Sequence, residues 1–203
     1  MDPAQTNQSS AVGCDQSAED AKVERLLGEI AELRDRVANL QDRVEQLDQL
    51  AHEDSLVKLP NRRSFTRALE RLIDRVARYG EQAAILFVDL DGLKSINDNF
   101  GHVAGDEALI QVARLLVEGV RKSDLVARVG GDEFAVLLDH ADEDRAAETA
   151  ARLIEGIASC DFIHDGESLP LSVAIGATTI QPNDTTETAM ARADHEMYRG
   201  KAA

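Results

Sequence analysis

The stretch Arg128-Val-Gly-Gly-Asp-Glu-Phe134 sets two glycines and two carboxylates between the apolar runs 125–129 and 134–138. Short apolar runs split by glycines read as a β-hairpin, here with a charged turn. Glycines permit positive φ and leave no side chain between the backbone and a ligand. Adjacent carboxylates repel unless a cation sits between them, so the turn has the make-up of a metal-assisted phosphate site. An ordinary Gly-Gly turn with solvated acids explains these residues as well, and the decision falls to the sequence upstream.

Upstream, Ala84-Ile-Leu-Phe-Val-Asp-Leu-Asp91 reads as a buried strand, apolar through Val88 and ending in Asp89 and Asp91. A hairpin paired beside this strand brings Asp89 and Asp132 within reach of one divalent ion, and oxygen-only ligands point to magnesium or manganese. Acids at a strand end are more often simply solvated. Here they precede Gly92-Leu-Lys94, Asn97-Asp98, Gly101-His102 and Gly105-Asp106, a density of turn and polar residues unusual before an amphipathic helix.

On these residues the chain resembles the GGDEF family, the diguanylate cyclases. The likeness runs from Asp54-Ser-Leu-Val-Lys-Leu-Pro-Asn-Arg-Arg63 through Asp89-Leu-Asp-Gly-Leu-Lys-Ser-Ile-Asn-Asp98, Gly101-His-Val-Ala-Gly-Asp106 and the hairpin. It ends at Ala193-Asp-His-Glu-Met-Tyr198 and Lys201, so that about three quarters of the chain is covered. The resemblance implies condensation of two GTP into cyclic di-GMP with release of two pyrophosphates. It implies a metal, magnesium or manganese, held by Asp89, Asp132 and the Leu90 carbonyl, with Asp132 or Glu133 assisting deprotonation of the attacking hydroxyl. Asn97 and Asp106 resemble the family's guanine readers, and a carboxylate suits guanine's N1–H and amino donors. Lys94 and Lys201 are implied phosphate contacts, with backbone amides near Gly92 and Leu93 cradling phosphate and Gly130 and Gly131 allowing close approach. Surface lysines are otherwise usually just solvated.

Arg121-Lys-Ser-Asp124, upstream of the double glycine, resembles the family's product-binding inhibitory motif Arg-x-x-Asp. Arginine holds phosphate or a guanine edge bidentately and aspartate accepts from guanine, so both types suit cyclic di-GMP. Alone, such a tetrapeptide is mostly a helix-end charge pair. Arg128 is a further candidate there. Two departures from the family stand out. Val57-Lys58 replaces the usual Thr-Gly, and Leu93 stands where Phe is common.

Composition narrows the class. A chain of 203 residues with 43% hydrophobic content fits one domain plus an extension. A formal net charge of −16 excludes a broad nucleic-acid-binding surface. Cys14 and Cys160 lack metal-ligand spacing and read as free thiols of a reducing compartment. No apolar run is long enough to span a bilayer, and the polar residues 1–20 lack a secretory signal, so a cytoplasmic protein is expected.

Residues 1–20 are expected to form a disordered tail. From there Val23, Leu26, Ile30, Leu33, Val37, Leu40, Val44 and Leu47 alternate spacings of three and four. Val or Ile at the first heptad position and Leu at the fourth favour a parallel two-stranded coiled coil over residues 21–53. Glu29 would face Arg34, and Arg43 would face Asp48, of a parallel partner. A lone amphipathic helix packed on the domain is the competing reading. Two GTP molecules must meet face to face in this chemistry, so a homodimer places two half-sites together, and a regulatory protein docking on the helix is a candidate input. Pro60 is expected to end or bend the helix at a hinge.

The domain at 54–203 is expected to be α+β, a ferredoxin-like palm with one helix layer on a mostly antiparallel sheet. The expected order is helix 64–79, strand 83–89, helix 103–119, hairpin 125–138, helix 143–158, strand 171–178 and helix 187–200. Residues 161–170 read as a loop or small hairpin with His164 and Asp165 solvated. Two other functions compete: a catalytically silent cyclic di-GMP receptor using Arg121 and Asp124, and a coiled-coil interaction protein that merely binds GTP.

Overall fold

The computed structural model describes residues 22, 25, 27–41, 43, 44 and 52–201. It divides into two units, the first ending at Gln49 and the second starting at Leu50. In the first unit residues 27–41 form helix α1, with Ile30, Leu33, Val37 and Leu40 all exposed, as is Val44 beyond it. The expected tail 1–20 lies outside the described residues, as do Cys14 and the heptad positions Val23, Leu26 and Leu47.

The second unit runs α2 (Arg62–Tyr79), β1 (Ala83–Leu90), α3 (Leu93–Glu118), β2 (Leu125–Arg128), β3 (Glu133–Asp139), α4 (Glu143–Ala158), β4 (Phe162–His164), β5 (Glu167–Leu169), β6 (Val173–Thr179) and α5 (Thr186–Lys201). Four strands form one antiparallel sheet in the order β2-β3-β1-β6, and β4 pairs with β5 alone. The α+β palm architecture is as expected. Its layering is not: helices cover both faces of the sheet.

The reason lies in β1. Its positions are apolar without alternation through Val88, and successive residues of a strand point to opposite faces. Ala84, Leu86, Val88 and Leu90 enter one core with Leu109, Val112 and Leu116 of α3 and Leu153 and Ile157 of α4. Ala83, Ile85 and Phe87 enter a second core with Phe65, Leu69 and Ile73 of α2 and Ala193 and Met197 of α5. A continuous apolar run thus signals a strand buried on both sides, which a single helix layer leaves half uncovered.

Local chemistry fixes the helix ends. Asn61 caps α2 by accepting from the Ser64 amide at 3.1 Å, and Gly80 closes it at φ 66°. Asp142 caps α4 by accepting from the Arg145 amide at 2.9 Å. Helix α3 begins ten residues earlier than its expected start at Val103. The polar stretch after Gly92 is a helical arm in its own right, and Gly101, at φ 85° and ψ 166°, breaks α3 between that arm and the next.

Before α2, residues 53–60 form a closed turn where the sequence suggested a hinge. Glu53 bridges to Pro60, and the Asp54 amide donates to the Leu59 carbonyl at 2.8 Å. Beyond α4, the small hairpin β4–β5 matches the expectation for 161–170, but His164 does not: its side chain is only 11% exposed and its Nδ1 lies 2.7 Å from Glu107 Oε2. Phe162 and Leu169 draw the hairpin into the first core, and that carries His164 against α3. Asp165 is solvated as expected. Cys160 is a free thiol packed at the rim of the first core.

Candidate active site

Pairing brings the acidic residues to one end of the sheet. Asp89 of β1 lies directly opposite Glu133 of β3, a relation that sets Cβ atoms roughly 5 Å apart. The Leu90 amide donates to the Asp132 carbonyl at 3.0 Å, fixing the charged turn onto the end of β1. Asp89, Asp132 and Glu133 are all half-buried. Burial, followed by the negative charges of Asp132 and Asp89, holds the Glu133 carboxyl above the usual carboxylate range; Arg62 opposes this and Asp194 adds to it. Three carboxylates gathered at one strand end are the electrostatic setting a divalent cation relieves, so the donor set fits a metal bound through oxygen.

Positive φ is not what the two signature glycines supply. Neither Gly130 nor Gly131 has positive φ. Gly130 is bare because the Glu133 carboxylate lies across it: an added Cβ would stand 2.1 Å from Glu133 Oε2. Gly131 meets nothing within 4 Å and is exposed. Positive φ occurs instead at Gly92, φ 69°, which starts α3 without a side-chain cap. The first-turn amides at Leu93 and Lys94 are thereby left for an anion. Asp91, between Leu90 and Gly92, is anchored twice to Ser172: its amide donates to the Ser172 carbonyl and its carboxylate accepts from Ser172 Oγ, both at 3.0 Å.

On α3, Asn97 is half-buried and lies over Gly105, the residue before the exposed Asp106, across the break at Gly101. Lys94 is exposed on the first arm, and Lys201 is the last described residue of α5, its side chain outside the described ones.

Arg121 and Asp124 lie on the far side of the hairpin. The Asp124 carboxylate is already engaged, accepting from the Arg121 amide at 2.9 Å and the Asp139 amide at 3.1 Å. An ionised carboxylate keeps further acceptor capacity. Arg145 and Arg152 of α4 line the same cavity of about 150 Å³ as Arg121 and Asp124. Sequence reading missed this pair. Their seven-residue spacing puts them on one helix face, but nothing local shows which surface that face meets. Arg128, the other arginine considered, is committed elsewhere, to Asp54 and the Gly131 carbonyl.

Among the described residues, Glu81, Asp139 and His140 also gather closely enough for a cation. Arg75 already bridges Glu81 and Asp139, so this cluster is an ion-pair network.

Strand ends bearing carboxylates on an α+β palm sheet, beside an uncapped helix start, make a candidate site for a metal and a phosphate. The chain belongs to the GGDEF family, its residues 51–203 matching the family described as the diguanylate cyclase, GGDEF domain. It is 38% identical over 159 residues to the diguanylate cyclase DgcP of Pseudomonas aeruginosa, an alignment covering 78% of this chain and 24% of DgcP. It spans between 20% and 35% of the length of the first curated relatives it matches. Among solved structures it resembles the coiled coil and GGDEF domain of DgcB from Caulobacter crescentus in complex with c-di-GMP, with TM-score 0.81, 25% identity, and coverage of 87% of this chain and 94% of that one. The diguanylate cyclase SiaD from Pseudomonas aeruginosa, in complex with its activator SiaC, gives TM-score 0.73 and 27% identity over 95% of this chain and 74% of SiaD.

Proposed function

We propose that the chain is a diguanylate cyclase that condenses two GTP into cyclic di-GMP across a homodimer. The observation that carries this is the meeting of Asp89, Asp132 and Glu133 at one sheet end, beside the Gly92 start of α3. In the reaction each 3′ oxygen forms a bond to the α-phosphorus of the other GTP while the bond to the pyrophosphate oxygen breaks. The hydroxyl proton passes to Asp132 or Glu133, and the raised proton affinity of Glu133 suits it to that role.

Asp89, Asp132 and the Leu90 carbonyl would hold magnesium or manganese. The ion supplies charge neutralisation at the α-phosphate and the leaving pyrophosphate. The protein's own groups orient the substrate: amides at Gly92 and Leu93 and the cations Lys94 and Lys201 receive phosphates, the open Gly131 admits them closely, and Asn97 and Asp106 read guanine.

A single site of this kind holds one GTP, so two chains must face each other. The exposed stripe Ile30, Leu33, Val37, Leu40 and Val44 supports a parallel coiled coil that holds two sites at high effective concentration. A regulatory protein acting through the same helix belongs to this reading, and SiaD's activator SiaC lends it support. The reaction is placed in the cytoplasm, where GTP is made and the Cys160 thiol stays reduced. No described helix is long and apolar enough to cross a membrane.

Product feedback is the second part of the proposal. Arg121, Arg145 and Arg152 line a cavity together with Asp124, Asp139 and Glu148, and the three guanidiniums are suited to the two phosphates of cyclic di-GMP while the acids can accept from guanine. The test of the whole is pyrophosphate release from GTP at falling protein concentration. Specific activity that drops on dilution, and drops earlier when residues 1–50 are deleted, is expected; a dilution-independent rate with that deletion would contradict the dimer.

A further inference from the structure

Gly105 lies buried inside α3, one residue before Asp106, with helical backbone. A glycine in a helix interior is destabilising relative to alanine, and positive φ does not account for this one. A neighbour does. A Cβ at position 105 would stand 2.0 Å from Asn97 Oδ1, 2.9 Å from Asn97 Cγ and 3.2 Å from Leu93 Cδ1. In an unbroken helix, residues eight apart are separated by about 12 Å along the axis. Asn97 reaches Gly105 because Gly101 breaks the helix between them.

We infer that Gly105 is a specificity-determining position: by lacking a side chain it lets the Asn97 carboxamide rest against α3 beside Asp106, so that both groups address one base edge. This rests on the reading of Asn97 and Asp106 as guanine readers. Their chemistry is complementary, a carboxamide offering donor and acceptor and a carboxylate offering acceptors alone. Guanine's N1–H and amino group donate to such a pair, whereas adenine has no N1–H to give. A methyl at position 105 displaces the carboxamide and leaves the carboxylate where it is.

The test measures binding of α,β-methylene GTP and α,β-methylene ATP, with magnesium, to the full chain and its Asn97→Ala, Gly105→Ala and doubly substituted variants. The expected result is a wild-type preference for the guanine nucleotide that falls roughly tenfold in either single variant. The double variant should match Asn97→Ala, because the two Asn97 atoms a Cβ would strike hardest are gone and only the end of the flexible Leu93 side chain remains near it. A folded Gly105→Ala that keeps the wild-type preference, or whose loss multiplies that of Asn97→Ala, overturns the inference while the guanine reading stands. A wild type without preference, or an Asn97→Ala that retains it, removes the guanine reading and the inference with it. Should Gly105→Ala alone fail to fold, a double variant that folds and binds as Asn97→Ala supports the inference, and one that also fails overturns it.

Discussion

Asp54, in the turn that precedes α2, forms an ion pair with Arg128, at the end of β2, with Oδ1 3.0 Å from Nη1. The same guanidinium donates through Nη2 to the Gly131 carbonyl at 2.7 Å, so the turn at 53–60 is wired to the signature loop. The Arg128 amide adds a bond to the Pro60 carbonyl at 3.0 Å. The motif at 54–63 thereby clamps the loop whose acids would hold the metal. Replacing Arg128 with Ala should cost roughly 2 kcal/mol, the scale of hydrogen bonds to charged groups, as read by urea denaturation. Catalytic rate should fall further than stability alone explains, because Gly131 loses its anchor.

Lys58 occupies the left-handed region at φ 57°, at the position where the family usually has glycine. A side chain there costs about 1–2 kcal/mol, partly offset by the entropy glycine loses on folding. Lys58→Gly should therefore raise the stability of the domain by about 0.5–1 kcal/mol. A lowered denaturation midpoint would show that Lys58 makes a contact worth more than its strain.

Gly176 of β6 lies against α5, and a Cβ there would meet the Met197 amide nitrogen at 2.1 Å and the Ala193 carbonyl at 2.3 Å. Both obstacles are backbone and cannot rotate away. Gly176→Ala should destabilise by about 2–3 kcal/mol through displacement of α5, as measured by thermal or urea unfolding.

Two aspartates tie stability to pH. Asp184 is held below the ordinary value of 3.8 chiefly by the Arg192 guanidinium, which meets it at 2.6 and 2.8 Å. Burial raises Asp54, but the Val57 amide and Arg128 outweigh it and hold that carboxyl low as well. A carboxyl whose folded value is depressed gives stability that is complete above the unfolded value and is lost as pH falls through the folded one. Through these two groups unfolding midpoints should fall below about pH 4. Asp184→Asn should lower the neutral midpoint and reduce the acid slope; an unchanged slope would remove Asp184 from this role.

Much of the fold was legible because the deciding patterns are local. Helix 143–158 falls where expected, and the hairpin was marked by its glycines. The second helix layer was not legible in the same way, because the apolar run of β1 reports burial without saying what covers each face. The arm from Leu93 to Phe100 was hidden because its polar surface resembles a loop, and only Leu93 and Ile96 reach the first core. The acids at 89, 132 and 133 were legible from type and spacing. The contribution of Arg145 and Arg152 was not, since their meeting with Arg121 depends on how α4 packs. His164 escaped for a similar reason: a three-residue strand gives no sign that it leans on Glu107.

The most direct test of the central claim is mass-spectrometric detection of cyclic di-GMP after the purified full chain, stripped of bound nucleotide, is incubated with GTP and magnesium beside its Asp132→Ala variant. Cyclic di-GMP from the wild type, and none from the variant, is the predicted result. No product from a folded wild type that still binds cyclic di-GMP tightly would contradict the cyclase and leave a receptor built on Arg121 and Asp124.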